Sequence, residues 1–171
     1  MNVSLAQVFS TSLDTLRFHE VAAFSREILE GLSYIHDLHI THGQLNSENI
    51  LLSVETAAIK IDRHISNFKL LISMLKQDHE AQTDIQSVST MITECLEPHI
   101  ILRHGDISIS ENFSDNLREF QTRIRTTFTS ELLKHDFLQL SSGSQCLKCY
   151  IRTARKSASK NLEILTEWTV S

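Results

Sequence analysis

The chain has 171 residues, of which 41% are hydrophobic and 22% are charged, and its formal net charge is −5. This length suits one domain with a real core, and four Gly with one Pro argue against a β-sandwich, a collagen-like chain or a disordered linker. The negative charge excludes a surface that attracts nucleic acid as a whole. Three Cys are too few for a disulfide scaffold, and no apolar run reaches about 18 residues. We therefore expect an intracellular protein without a membrane span, in the cytoplasm, with the nucleus left open.

The clearest predicted element is a helix from Glu20 to Asp37. Its apolar residues recur at steps of three and four, which places Val21, Phe24, Ile28 and Leu32 on one stripe. Gly31 interrupts the helix at a cost of about 1 kcal/mol relative to Ala. This cost predicts a close neighbour at that position.

The next segment is predicted to be a polar loop followed by a β-hairpin. The letters HGQLNSEN indicate the loop, and residues 50–52 and 58–61 are short β-like runs separated by polar turn residues. A short helix is expected from Ile65 to Leu75. Thr83 is predicted to cap a further helix that carries Val88, Met91, Ile92 and Cys95, with Pro98 just beyond it.

The second half is predicted to be helical with irregular connections. Residues 99–113 indicate a loop with extended pieces, Ser114 is predicted to cap a helix, and a last short helix is expected over residues 130–138. The end is predicted to be a basic run followed by an amphipathic segment, Asn161 to Trp168. The pattern alone therefore predicts a mostly helical domain with one β-hairpin.

Three segments, in this order, carry a family resemblance: ILEGLSYIHDLHITHGQLNSENILL, DIQSVSTMITECL and TSELLKHDFL. Together they resemble the large lobe of a eukaryotic Ser/Thr-type protein kinase over residues 1–140, with 141–171 as a basic and amphipathic tail. The resemblance implies a mainly α fold with an α+β remnant: a kinase-like C-terminal lobe, helical with a small β-hairpin, and no N-terminal lobe.

The resemblance also implies a degenerate catalytic loop. The family pattern H-R-D-L-x-x-x-N is matched by His42, Leu45 and Asn49, whereas Gly43, Gln44 and Asn46 stand where the family has Arg, the base Asp and a Lys. An uncharged amide cannot replace an Asp carboxylate as proton acceptor. The resemblance therefore implies no catalytic residue in this loop.

Other positions receive structural or vestigial roles from the resemblance. His42 is expected to be a buried structural residue, and Asp84 is expected to accept main-chain N–H groups of the loop. Asn49 and Asp62 would be a vestigial Mg²⁺ pair, and Leu51 a vestigial adenine floor. Asp62 is followed by Arg63 and His64 in place of the family's Phe and Gly.

The leading functional hypothesis is an inactive pseudokinase fragment that acts as a protein-binding module and needs no cofactor. No glycine-rich loop or strand lysine is found in the sequence, so a small lobe is not expected. The face that this lobe would cover, the hairpin and the front of the first long helix, is expected to bind a protein partner or a second copy. The segment Asn161 to Trp168 is the candidate internal cover. No specific nucleic acid is expected.

Two alternatives stay open. The chain would be a piece of a longer ATP- and Mg²⁺-dependent Ser/Thr protein kinase, or a degenerate gene product without a selected function. Two smaller features add little to either. Cys146-x-x-Cys149 is half of a zinc-ligand pattern. A basic run is formed by Lys148, Arg152, Arg155, Lys156 and Lys160. It indicates a solvated face, with an anionic ligand as the alternative.

Overall fold

The computed structural model describes residues 2–11, 16–62, 69–70, 74–96 and 114–168, with the backbone alone for 69–70, 74–79 and 161–168. The α-helices are α1 Leu5–Phe9, α2 Phe18–Asp37, α3 Met74–Leu96, α4 Asp115–Arg123, α5 Thr129–Leu132, α6 Asp136–Gln139 and α7 Lys148–Trp168. The strands are β1 Asn2–Ser4, β2 Ile40–Thr41, β3 Ile50–Ser53, β4 Ile59–Ile61 and β5 Lys69–Leu70. Short 3₁₀ helices occupy Ser47–Asn49 and Ser144–Leu147. The described part is mostly helical.

The main sheet has three antiparallel strands in the order β1-β3-β4. The hairpin predicted at residues 50–61 is confirmed, with Ile50 opposite Ile61 and Leu52 opposite Ile59. The first strand was not predicted. It pairs with β3 on the other side, where Val3 lies opposite Leu52, because main-chain groups at a sheet edge are satisfied by any extended segment that reaches them.

Helix α2 is the centre of the core. The predicted apolar stripe is confirmed, since Val21, Phe24, Ile28 and Leu32 are fully buried. The close neighbour predicted at Gly31 is also present: a Cβ at this position would lie 3.1 Å from the Cδ1 atom of Ile61. The hairpin therefore packs closely against this helix because Gly31 leaves room for Ile61.

Helix α3 corrects two predictions. Thr83 lies inside the helix rather than at its start, because residues 74–82 contain neither Gly nor Pro and continue the helix upstream. In the short helix predicted for Ile65 to Leu75, Lys69–Leu70 instead forms a strand that pairs with β2. Residues 65–68 and 71–73 of that prediction lie outside the described residues.

The later helices follow the sequence pattern with one difference. Ser114 caps α4, as predicted, and its hydroxyl accepts the main-chain N–H of Leu117. The single helix predicted at 130–138 is divided into α5 and α6, because His135 takes an extended conformation and caps the second piece. Pro98 and the loop predicted at 99–113 lie outside the described residues.

The tail is part of the same core. Leu147, Ile151 and Ala154 are buried in one cluster with the residues of α2, and α7 contacts α1 and β1. The side chains of the candidate cover, Asn161 to Trp168, lie outside the described residues, so its covering role stays a prediction. The predicted boundary at residue 140 marks only where the family resemblance ends. It stays a prediction, and the core packing continues across it.

The hairpin is partly covered. Ile50 and Leu52 are buried, whereas Leu51, Ile59 and Ile61 are half-buried. The expectation that this face binds a partner stays a prediction. The described large apolar side chains that are exposed lie elsewhere: Phe18, Tyr34, Leu38, Phe128 and Leu140. Among the described helices, none has both the length and the apolar character that a membrane crossing requires.

Candidate functional site

The candidate site is the loop from His42 to Asn49, between β2 and β3. Gly43 has a φ of +76°, a backbone conformation that glycine adopts without strain. Leu45 and Ser47 are buried, whereas Gln44 and Asn46 are exposed. The loop is therefore fixed to the core at alternating positions and presents its polar amides to solvent.

Asp84 of α3 holds the start of the loop. Its buried carboxylate accepts the main-chain N–H of His42 at 2.7 Å and that of Gly43 at 2.8 Å. The ring Nε2 of His36 lies 3.1 Å from the same carboxylate. Hydrogen bonds to an ionised acceptor are about twice as strong as neutral ones, so this one side chain orders the loop entry.

His42 makes hydrogen-bond contacts through both ring nitrogens. Its Nδ1 accepts the main-chain N–H of Gln44 at 3.4 Å, and its Nε2 lies 3.0 Å from the main-chain oxygen of Asp62. Nδ1 thus faces a donor, and Nε2 faces a carbonyl oxygen to which its N–H can donate. The buried His42 therefore links the loop to the end of β4.

Asn49 and Asn46 close the loop from the other side. The side-chain amide of Asn49 donates to the main-chain oxygen of Gln44 at 2.8 Å. The Oδ1 atom of Asn46 accepts the main-chain N–H groups of Glu48 at 3.0 Å and Asn49 at 3.1 Å. This is the capping arrangement of a helical turn, and it forms the 3₁₀ helix before β3.

The structure brings Asn49 and Asp62 next to each other through the backbone. The main-chain N–H of Asp62 donates to the main-chain oxygen of Asn49 at 2.7 Å. The pair supplies one amide oxygen and one carboxylate, a donor set that Mg²⁺ uses when phosphates and water complete its shell. Among the described side chains, no group of three or more His, Cys, Asp or Glu residues could hold a metal ion.

Leu51 lies on the central strand of the sheet, paired with Ser4 on one side and Lys60 on the other. Its side chain is half-buried. The structure therefore places Leu51 beyond the end of the loop, two residues after Asn49.

Two further acidic contacts between α3 and this region were not predicted. The hydroxyl of Ser47 donates to Glu94 at 2.9 Å, and that of Thr41 donates to Glu80 at 3.3 Å. Burial raises the pKa of Glu94, with the Ser47 hydrogen bond acting in the opposite direction. The spacing of Glu80 and Asp84 by one helical turn is the signal that would have indicated a shared loop-facing side.

The two cysteines of the tail do not resemble a metal centre. Cys146 is half-buried and Cys149 is exposed. Burial raises the pKa of the Cys146 thiol, which disfavours the thiolate that binds metals. The pair therefore adds nothing to the candidate site.

The comparisons with known proteins agree with the loop and helix pattern. A family model described as protein tyrosine and serine/threonine kinase matches residues 1–108. The chain belongs to this kinase family. The match includes the whole loop, Asp62 and Asp84.

Individual kinases match either a shorter part of the chain or the chain at lower identity. The chain is 23% identical to serine/threonine-protein kinase SMU1 of Mycosarcoma maydis, over 83% of this chain and 24% of that kinase. It is 40% identical to human cyclin-dependent kinase 15 over 31% of this chain and 12% of that kinase. Mitogen-activated protein kinase kinase kinase 6 of Homo sapiens is 37% identical over 24% of this chain and 3% of that kinase. The chain thus spans about a quarter or less of the length of these relatives.

Proposed function

We propose that this chain is a pseudokinase fragment, the kinase-like C-terminal lobe with a tail, which transfers no phosphate and acts by binding protein. The observation that carries the proposal is Gln44. It occupies the family's base position in a loop that is otherwise ordered by Asp84, His42 and Asn49.

The chemistry of Gln44 supports the loss of transfer. General base catalysis needs a group whose pKa lies within reach of the working pH, and a carboxamide does not titrate there. Gly43 and Asn46 also lack the charges that the family places at these positions. The sequence after Asp62, Arg63-His64, departs from the family's Phe and Gly. The proposed roles of His42 and Asp84 are therefore structural, and those of Asn49, Asp62 and Leu51 vestigial.

Two exposed side chains at the end of α2 support the binding role. Tyr34 is 67% exposed and Leu38 is 52% exposed, and residues four apart are neighbours on one helical face. Exposed apolar patches often mark an interaction site. We propose this face, at the helix end that leads into β2 and the loop, as the contact for a protein partner, including a second copy of the chain.

Light scattering over a range of concentrations tests self-association through this face. The Tyr34→Ser/Leu38→Ser variant should stay monomeric where the wild type forms dimers. The Phe128→Ser/Leu140→Ser variant is a matched control, because it removes another exposed aromatic residue and leucine, and it should dimerise normally. A wild type that is monomeric at every concentration would contradict self-association.

The second candidate is ATP-dependent protein phosphorylation as part of a longer Ser/Thr kinase. The kinase relatives and the oxygen donors of Asn49 and Asp62 favour it. Thermal melting with Mg²⁺ and ATP separates the candidates, because a ligand at a hundredfold excess over its Kd stabilises by about 2.7 kcal/mol. A melting temperature that rises in the wild type but not in Asn49→Ala would favour nucleotide binding; no rise is expected for the pseudokinase.

A further inference from the structure

Helix α7 has two different faces over its described side chains. One face carries Ile151 and Ala154 near its start and is buried in the core, beside Leu147 of the preceding 3₁₀ helix. The other face carries residues at positions 152, 155, 156, 159 and 160, spaced by three, four, seven and eight, which places them on one stripe. These side chains are Arg152, Arg155, Lys156, Ser159 and Lys160, and all are exposed.

This basic face forms one wall of a groove of about 830 Å³. The opposite wall is the turn between β3 and β4, at Val54 and Glu55. The lining residues supply four formal positive charges and one negative charge. Among the described side chains, no carboxylate forms an ion pair with any of the four basic residues.

The two walls are fixed relative to each other. The side-chain amide of Gln145, just before α7, donates to the main-chain oxygen of Thr56 in the turn. Glu27 of α2 joins the same regions: its two carboxylate oxygens accept the main-chain N–H of Ser144 at 3.1 Å and of Ile59 at 3.3 Å. A groove whose walls are held in place loses less entropy when a ligand binds.

The charges indicate the chemistry of the ligand. Arg152 and Lys160 are eight residues apart, which is about 12 Å along a helix. Guanidinium groups bind phosphate oxygens through paired hydrogen bonds, and lysine adds compact positive charge. A volume between about 300 and 1,000 Å³ is typical of sites for small molecules. Several phosphate groups on one small molecule would meet these requirements.

Glu55 narrows the chemical class of the ligand further. Its carboxylate accepts the hydroxyl of Ser53 at 3.1 Å, and hydrogen bonds from its own main-chain N–H and from Ser53, together with the positive charge of the amino terminus, lower its pKa. An ionised carboxylate repels bare phosphate but accepts hydrogen bonds from hydroxyl groups. We propose that the groove between α7 and the β3–β4 turn binds a phosphorylated polyol, with Arg155 and Lys156 on the phosphates and Glu55 on free hydroxyl groups.

Calorimetry with inositol trisphosphate tests the phosphate contacts. The wild type should bind one molecule with an affinity that falls as salt rises. The variant Arg155→Gln/Lys156→Gln should bind about tenfold or more weakly, since charge-assisted contacts are lost. The control Arg125→Gln/Lys134→Gln changes the net charge equally at exposed sites outside the groove and should bind like the wild type. All four residues are exposed, and thermal melting checks that each variant is folded.

Tripolyphosphate and vesicles complete the test. Tripolyphosphate has no hydroxyl groups, so Glu55→Gln should reduce the preference for inositol trisphosphate over tripolyphosphate. Flotation with phosphatidylcholine vesicles that contain a phosphatidylinositol bisphosphate distinguishes a lipid headgroup from a soluble source of the same chemistry. Binding in either arm that only the Arg155/Lys156 variant loses supports the groove. The proposal would be overturned if both double variants lost binding equally or if no ligand bound. It would also be overturned if Glu55→Gln kept the wild-type preference for inositol trisphosphate over tripolyphosphate.

Discussion

The carboxylate of Asp84 accepts the main-chain N–H of His42 at 2.7 Å and thereby joins α3 to a loop that lies 42 residues earlier in the sequence. The same carboxylate accepts the N–H of Gly43. Only 1% of the Asp84 residue is exposed, so its carboxylate is directed to these protein groups rather than to bulk solvent. This one buried side chain therefore holds the entry of the loop in the proposed pseudokinase site.

The first prediction concerns this anchor. Asp84→Ala should lower the free energy of unfolding by about 3 kcal/mol, because the N–H groups of His42 and Gly43 lose a buried, charged acceptor. Asp115→Ala removes a carboxylate that is fully exposed in α4 and should cost about 0.5 kcal/mol or less. Urea unfolding of both variants measures the difference, and equal midpoints would show that Asp84 does not order the loop.

The second prediction concerns the contact of Gly31 with Ile61. Ala has a helix propensity about 1 kcal/mol better than Gly, but its Cβ would lie 3.1 Å from the Cδ1 atom of Ile61. Ile61→Val removes that atom. Gly31→Ala should therefore be more favourable in the Ile61→Val background than in the wild type. A double-mutant cycle of unfolding free energies measures this coupling; strictly additive effects would mean that the two residues do not meet.

The third prediction is a loss of stability at high pH. Burial and a hydrogen bond to Glu20, at 3.0 Å, raise the pKa of Tyr150 from 10.0 to about 12. Between these values the unfolded chain has lost the tyrosine proton and the folded chain keeps it, so stability falls as pH rises. Below pH 10 this contribution is fully present.

Tyr150→Phe provides the comparison for this pH effect. Its unfolding free energy should fall less steeply than that of the wild type between pH 10 and 12, when both are measured by urea unfolding. Parallel curves for the two proteins over that range would contradict the raised pKa.

The fourth prediction concerns the tail. Ile151 is fully buried, so Ile151→Ala should cost about 2–5 kcal/mol. Arg152, the next residue of α7, is exposed, and Arg152→Ala should change stability by about 0.5 kcal/mol or less. Thermal melting of the two variants distinguishes a tail that belongs to the core from one that does not, since the latter would give the same melting temperature for both.

Local patterns predicted the parts of the fold that local forces determine. The stripe of α2 and the cap at Ser114 depend on residues within one or two turns, and the hairpin depends on two runs separated by a short turn. Such features are encoded in contiguous sequence. They appear in the structure close to their predicted bounds.

Long-range packing was not predicted from the sequence. The pairing of β1 with β3 joins Val3 to Leu52, and the burial of Ile151 places the tail in the core. Neither contact is encoded by a hydrophobic repeat in the sequence around the two residues that meet. Thr83 was misassigned for a related reason, since a threonine can cap a helix or lie within one, and only the residues upstream decide between the two.

The candidate site shows the same difference between local features and long-range contacts. The expectation that Asp84 would face the loop came from the family resemblance, because no local pattern links residues 42 and 84. The contacts of Glu80 with Thr41 and Glu94 with Ser47 were missed, since hydrogen bonds between distant polar side chains leave no mark in hydrophobic periodicity. The spacing of acids along α3 was the available signal.

The most direct test of the central claim is transfer of radiolabelled phosphate from ATP, in the presence of Mg²⁺, to the chain itself and to generic protein substrates. The claim predicts that the wild type incorporates no more label than the Gln44→Ala/Asp62→Ala variant, with an active kinase as the positive control. Because Gln44 cannot accept the substrate proton, no change of pH within the stable range should raise the signal. Incorporation by the wild type that clearly exceeds that of the double variant would contradict the claim.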